Sequence, residues 1–235
     1  MARILLIHGS SHGAWCWRDV LPLLATAGHE ARALDLPSNG DDPTPPGEVT
    51  LDSYTEAIVA AMEGPTVLVG HSMGGYPITA AAERAPEKVA ALVYVCAYVP
   101  VAGMSMADMR RAGPRQLLTD AIQVSRDRVT MTIDPAKAAG KFYQDCPQAI
   151  ADYAVPRLCP QPIAPQEAPL PSTARAEALR RHYILCEDDR TIPPEYQETM
   201  SAGIADVHRL PCGHSPFFAM PDRLATILSS IANET

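Results

Sequence analysis

Thr66-Val67-Leu68-Val69-Gly70-His71-Ser72-Met73-Gly74-Gly75 is the stretch that decides the fold. Its first half reads as a buried strand, Thr66–His71, and Ser72–Arg84 continues at helical spacing. Between them Gly70 and Gly74 flank a serine in the pattern G-x-S-x-G. A strand that turns abruptly into a helix there needs small residues on both sides, because only they let the backbone close a strained turn and push the hydroxyl outward. The pattern alone recurs by chance; a strand before it and a helix after it give it weight. The reading is a nucleophile elbow at Ser72, and the chain must then supply a base, an acid and an oxyanion site.

Outward from the elbow, strand and helix patterns alternate. Arg3–His8 reads as a first strand, Trp15–Ala27 as an amphipathic helix closed by Gly28, and Glu30–Leu36 as a second strand. Pro37–Val49 is too rich in Pro, Gly and Asp for regular structure. Thr50 is a suitable N-cap for a helix ending near Glu63, with Gly64-Pro65 stopping it. Val89–Cys96 is a fourth, almost wholly apolar strand, the pattern of a strand covered on both faces. Arg181–Cys186, a helix over Pro193–Ala202, strand Asp206–Leu210 and a helix from Pro221 complete the series.

The expectation is an α/β fold with a doubly wound, mainly parallel six-stranded sheet. About eighty residues, Ala97 to Leu179, interrupt it. They show helical patterns at Met106–Ala112, Pro135–Gln144 and Pro147–Tyr153 and no strand signal. Residues 1–96 and 180–235 are therefore expected to form a core, and 97–179 a helical cap over the carboxyl edge of the sheet, where open α/β folds bind ligands.

Composition narrows the function classes. At 235 residues with 47% hydrophobic and 20% charged side chains, the chain can bury one large core and is not disordered. A formal charge of −8 argues against nucleic acid or an anionic membrane as partner and suits a small-molecule substrate. No apolar run approaches the ~20 residues needed to span a bilayer. The amino-terminal residues lack a secretory signal pattern, so cytoplasm is the expected location. Six scattered cysteines without C-x-x-C spacing read as free thiols, not disulfides or metal ligands. No metal or cofactor is expected. Oligomeric state stays open, with a homodimer compatible.

Seven histidines compete for the role of base. His29, His182 and His208 fall in or at strands, His71 points away from Ser72 if the turn is tight, and His8 and His12 are placed to line a pocket. His214 lies in Cys212-Gly213-His214-Ser215-Pro216-Phe217, after the last strand, from where it can reach over the sheet edge to Ser72. The acid should follow the fifth strand, where Glu187-Asp188-Asp189 stand in a row. Distance from the strand end favours Asp189, with Asp188 as the alternative. Two backbone N–H groups should hold the oxyanion: Met73, at a helix start, and Ser10, in the loop His8-Gly9-Ser10-Ser11-His12-Gly13. Gly9, His12, Trp15 and Phe217, with Met104, Met106, Phe142 and Tyr143, are candidates to line a pocket or simply core.

These residues resemble a known group. Ile7-His8-Gly9-Ser10-Ser11-His12-Gly13-Ala14-Trp15-Cys16-Trp17, Ala27-Gly28-His29 and Ala33-Leu34-Asp35-Leu36-Pro37 look like the opening of the plant methylesterase and hydroxynitrile lyase branch of the α/β-hydrolases. Val69–Gly75, Cys186–Pro193 with Tyr196-Gln197, and Gly213–Pro216 continue the likeness, which lapses across 97–179. It implies the α/β-hydrolase fold, Ser72 as nucleophile, His214 as base, Asp189 as acid, and carboxylic ester hydrolysis through an acyl-enzyme. The lyases of this branch typically carry threonine where this chain has Gly9, and lysine where it has Ser215. Without that lysine no cation stabilises a leaving cyanide. The leading expectation is therefore a serine hydrolase of a small, mostly apolar carboxylic ester or lactone. C–C cleavage of the hydroxynitrile lyase type at the same site is one alternative, and a small-ligand receptor on the hydrolase fold the other.

Overall fold

Alternate residues of the central strands face opposite ways, and this alternation builds the architecture. In the computed structural model, which describes residues 1–235, strands β1 (Arg3–Ile7), β2 (Glu30–Leu34), β3 (Thr66–His71), β4 (Val89–Val95), β8 (Arg181–Cys186) and β9 (Asp206–Leu210) form one sheet in the order β2-β1-β3-β4-β8-β9. Every neighbouring pair is parallel. Ile4, Leu6, Val67, Val69, Val93 and Ile184 pack on one face against Leu24 and against Leu224, Leu228 and Ile231 of helix Pro221–Asn233. Leu5, Ile7, Leu68, Leu92, Tyr183 and Leu185 pack on the other against Tyr54 and Ile58 of helix Leu51–Ala61 and Ile78 and Ala81 of helix Gly75–Arg84. Two covered faces explain why the central strands are apolar throughout.

The parallel register also collects the strand ends. Ile7 lies beside Gly70, His71 beside Val95, Val95 beside Ile184, and Cys186 beside Leu210. The loops that follow β1, β3, β8 and β9 therefore leave the same edge.

Three local expectations are corrected. β1 ends at Ile7, because the His8 ring turns to accept the N–H of Leu36 at 3.1 Å and contacts the Gly9 carbonyl at 2.8 Å. The helix expected over Trp15–Ala27 is a 3₁₀ turn, Ala14–Trp17, followed by a separate helix, Leu21–Thr26, with Pro22 in its first turn. The segment after β4 is not purely helical. Helices Met106–Ala112, Pro135–Phe142 and Gln148–Ala154 are joined by a small antiparallel sheet of β5 (Ile122–Val124), β6 (Thr130–Ile133) and β7 (Gln161–Pro162).

Candidate active site

The elbow forms as the sequence pattern demands. Ser72 has φ of 55°, a left-handed conformation that costs a non-glycine residue about 1–3 kcal/mol. A Cβ at Gly70 would stand 2.6 Å from the Gly74 carbonyl, so the two flanking glycines approach each other across the turn. The Ser72 carbonyl accepts the N–H of Tyr98 at 3.1 Å. Its hydroxyl has no partner within the chain and lines a cavity at the sheet edge.

Of the three consecutive acids after β8, only Asp189 turns inward. Its Oδ1 accepts the backbone N–H groups of Thr191 at 2.7 Å and Ile192 at 3.0 Å. Its Oδ2 accepts Gln197 Nε2 at 2.9 Å and lies 2.7 Å from His214 Nδ1. The carboxylate is fully shielded from solvent and the imidazole nearly so. A carboxylate can only accept, so the His214 proton sits on Nδ1 and leaves Nε2 as the free basic atom. His214 lines the same cavity as Ser72.

Two groups to which the sequence assigns no part in the site, Gln197 and His71, hold this pair. Gln197 Oε1 accepts the N–H of Cys186 at 3.0 Å, and its Nε2 also reaches the Ile192 carbonyl at 2.9 Å, tying Asp189 to the end of β8. His71 does not simply turn away: its ring packs 4.6 Å from that of His214, and its Nε2 donates to the His214 carbonyl at 2.7 Å. For the first, the sequence offers only the motif Tyr196-Gln197, which says nothing of what the amide holds. For the second it offers nothing, because the partner is a main-chain atom 143 residues away.

Ser10 lines the cavity, and its hydroxyl accepts Gln166 Nε2 at 3.2 Å. Met73 occupies the 3₁₀ turn Ser72–Gly74 that runs directly into helix Gly75–Arg84. His12 also lines the cavity, with Nδ1 donating to the Ser10 carbonyl and Nε2 accepting the Tyr143 hydroxyl, each at 2.8 Å. Burial drives its pKa down to about 3, so it is neutral at physiological pH and serves as a wall.

The other expected lining residues sit behind the wall. Gly9 backs the elbow, where a Cβ would meet His71 Nδ1 at 2.7 Å and Ser72 Cβ at 2.9 Å. Trp15 stacks on the far side of His12, with ring centroids 5.3 Å apart. Phe217 is fully buried between Trp17 and His71. Met106 and Phe142 reach the cavity, whereas Met104 and Tyr143 do not, and His8 is a loop anchor.

His71, Cys96 and His214 offer three potential ligand atoms within 4.8 Å of one another. They do not suit a metal. His71 Nε2 and the Cys96 thiol both point at the His214 carbonyl, and burial pushes that thiol up to about 12, so it stays protonated.

A doubly covered parallel sheet carrying a serine elbow, with a buried acid–histidine pair at the same edge, defines the class. The chain belongs to the alpha/beta hydrolase family, whose model matches residues 4–227. It is 34% identical over 257 residues to the esterase PIR7B of Oryza sativa subsp. japonica, covering 98% of this chain and 95% of that protein. It is 29% identical over 248 residues to methyl jasmonate esterase 1 of Vitis vinifera, covering 97% and 95%. Its structure matches that of a pyrethroid hydrolase from Sphingobium faniae with a TM-score of 0.87 and 29% identity, covering 99% of this chain and 97% of that one. The likeness to the plant methylesterase branch expected from the motifs holds in these relatives.

Proposed function

We propose that the protein is a serine esterase that cleaves a small, mostly apolar carboxylic ester or lactone through an acyl-enzyme. The observation that carries this reading is the 2.7 Å contact of Asp189 with His214 beside a cavity that Ser72 also lines. Ser72 Oγ attacks the ester carbonyl while His214 Nε2 takes its proton. The N–H groups of Ser10 and Met73 hold the oxyanion. His214 then returns the proton to the departing alcohol, and Asp189 keeps the imidazole oriented and stabilises its charged form. A water activated by the same imidazole releases the acid. Residues 1–96 and 180–235 are the catalytic core in this reading, and 97–179 roof the substrate.

The esterase names of the relatives support the reaction. Two positions speak against the lyase. A threonine at position 9 has no room beside His71 and Ser72. Ser215, directly after His214, is neutral and buried, so position 215 offers no cation to a leaving cyanide. The six unpaired cysteines fit a reducing compartment, and we place the enzyme in the cytoplasm. No helix is long and apolar enough to cross a membrane.

Labelling with a fluorophosphonate, together with turnover of a short p-nitrophenyl ester, tests the mechanism. Wild type should label and turn over, and Ser72→Ala should do neither. Full activity in Ser72→Ala would overturn the assignment.

A further inference from the structure

The cavity holds a cation that the reaction leaves unused. Arg110 lies on helix Met106–Ala112 one turn beyond Met106, so the two share a face, and both line the cavity with Ser72. Its neighbours in sequence are neutralised: Arg111 pairs with Asp108 at 2.9 Å, and Arg115 grips Glu195 through two bonds of 2.6 and 2.8 Å. The Arg110 guanidinium has neither a carboxylate within salt-bridge distance nor a hydrogen-bond acceptor, although the residue is half-buried. Tyr98 lines the same cavity; the residue is 7% exposed, and its hydroxyl likewise finds no acceptor in the chain. Burial raises the pKa of that hydroxyl, and the Arg110 charge acts against the rise, as a near neighbour would. The main chain of Tyr98 is bonded to that of Ser72 at 3.1 Å, and Tyr98, Arg110 and Ser72 all line the one cavity.

A planar guanidinium and a phenolic hydroxyl that both lack acceptors match a carboxylate, which accepts from both and cancels the charge. We propose that Arg110 and Tyr98 form a carboxylate subsite, and that the substrate is a monoester of a short dicarboxylic acid, apolar along its chain and anionic at its far end. The proposal rests on the esterase reading above and adds the substrate class.

The test compares kcat/KM for monomethyl glutarate with that for methyl valerate, and measures the rise in Tm that glutarate itself produces. Wild type should favour the half-ester by roughly tenfold or more, the scale of a charged hydrogen bond. Added salt should shrink that preference. Arg110→Met should remove both the preference and the glutarate effect. Arg110→Lys should keep part of each, since it retains the charge without the fork. Equal or better use of methyl valerate by wild type, with turnover lost in Ser72→Ala, would overturn the subsite and leave the esterase standing. Absence of all turnover would count against the esterase reading alone, and glutarate binding would then decide the subsite: dependence on Arg110 supports it, and no binding overturns it.

Discussion

The Asp145 carboxylate accepts the backbone N–H of Gly213 at 2.6 Å, one residue before His214. Next to it, Gln144 Nε2 donates to the Asp188 carbonyl at 2.9 Å, and the Thr191 hydroxyl donates to the Lys141 carbonyl at 3.0 Å. The end of helix Pro135–Phe142 and the residues after it are thus fastened to both the loop that carries Asp189 and the loop that carries His214.

A Cβ at position 213 would stand 2.1 Å from Gln144 Nε2, so that flexible amide would have to swing away. Gly213→Ala should therefore break the Gln144–Asp188 bond, lowering stability by about 1 kcal/mol and reducing kcat. Gln144→Ala should cost less alone and should relieve the Gly213→Ala defect. Thermal unfolding of the two single variants and the double variant checks this non-additivity.

Asp189→Asn leaves four donors around a group with one acceptor oxygen, so two of them lose their partner. Stability should fall by about 1–3 kcal/mol for each buried donor left unpaired. With the histidine no longer held in its productive tautomer, kcat should drop on the order of ten-thousandfold. Urea unfolding measures the first effect and steady-state ester turnover the second.

Gly9→Ala puts a methyl group 2.7 Å from His71 Nδ1 and 2.9 Å from Ser72 Cβ. Both neighbours are buried, so making room means displacing packed groups, and overpacking should cost about 1–3 kcal/mol. His71 carries the His214 carbonyl, and a displaced ring should lower kcat as well. A crystal structure of the variant should show His71 and Ser72 moved; unaltered positions and activity would refute the steric argument.

The buried histidines set an acid limit. His12 takes its proton near pH 6.5 when unfolded and only near 3 in the fold, chiefly because burial disfavours the charge, while the neighbouring His214 and His8 disfavour it further. His8 and His71 are lowered in the same direction by burial. Below pH 6.5 the unfolded chain binds protons that the native one refuses, so stability present above that pH is lost as acid is added. Each such histidine contributes at most about 1.4 kcal/mol per pH unit in this window. Urea midpoints between about pH 7 and pH 4 should fall steadily, and His12→Gln should flatten the slope.

Much of this was legible in sequence where a residue's role is set locally. The apolar runs at Thr66–His71 and Val89–Val95 have little choice but to be buried strands, and the glycines around Ser72 mark a turn whatever packs above it. The residues that hold the site through space were not legible. His71 and Asp145 act on main-chain atoms 143 and 68 residues away, which carry no residue identity, and the eight-residue reach of Gln197 to Asp189 depends on how the intervening loop folds back. The small sheet escaped for a different reason: β5 has three residues and β7 two, one of them Pro162, so no alternation develops. Phe217 and Trp15 were candidates for the cavity because aromatic residues beside a catalytic loop suit either side of a wall. Only the packing of Trp17 and His12 puts them behind it.

The grip of Gln144 and Asp145 has a consequence for how such enzymes diverge. Residues 141–145, beside the cavity-lining Phe142, are also scaffolding for the loops that carry Asp189 and His214, so the two are not free to vary separately. A chimera that receives the roof of a relative should gain its substrate range only if the incoming segment brings a carboxylate for the Gly213 N–H and an amide for the Asp188 carbonyl. On the proposed mechanism, the wall of the cavity and the setting of the Asp189–His214 pair are coupled at two hydrogen bonds, and substitutions in 141–145 are filtered first by whether those bonds survive.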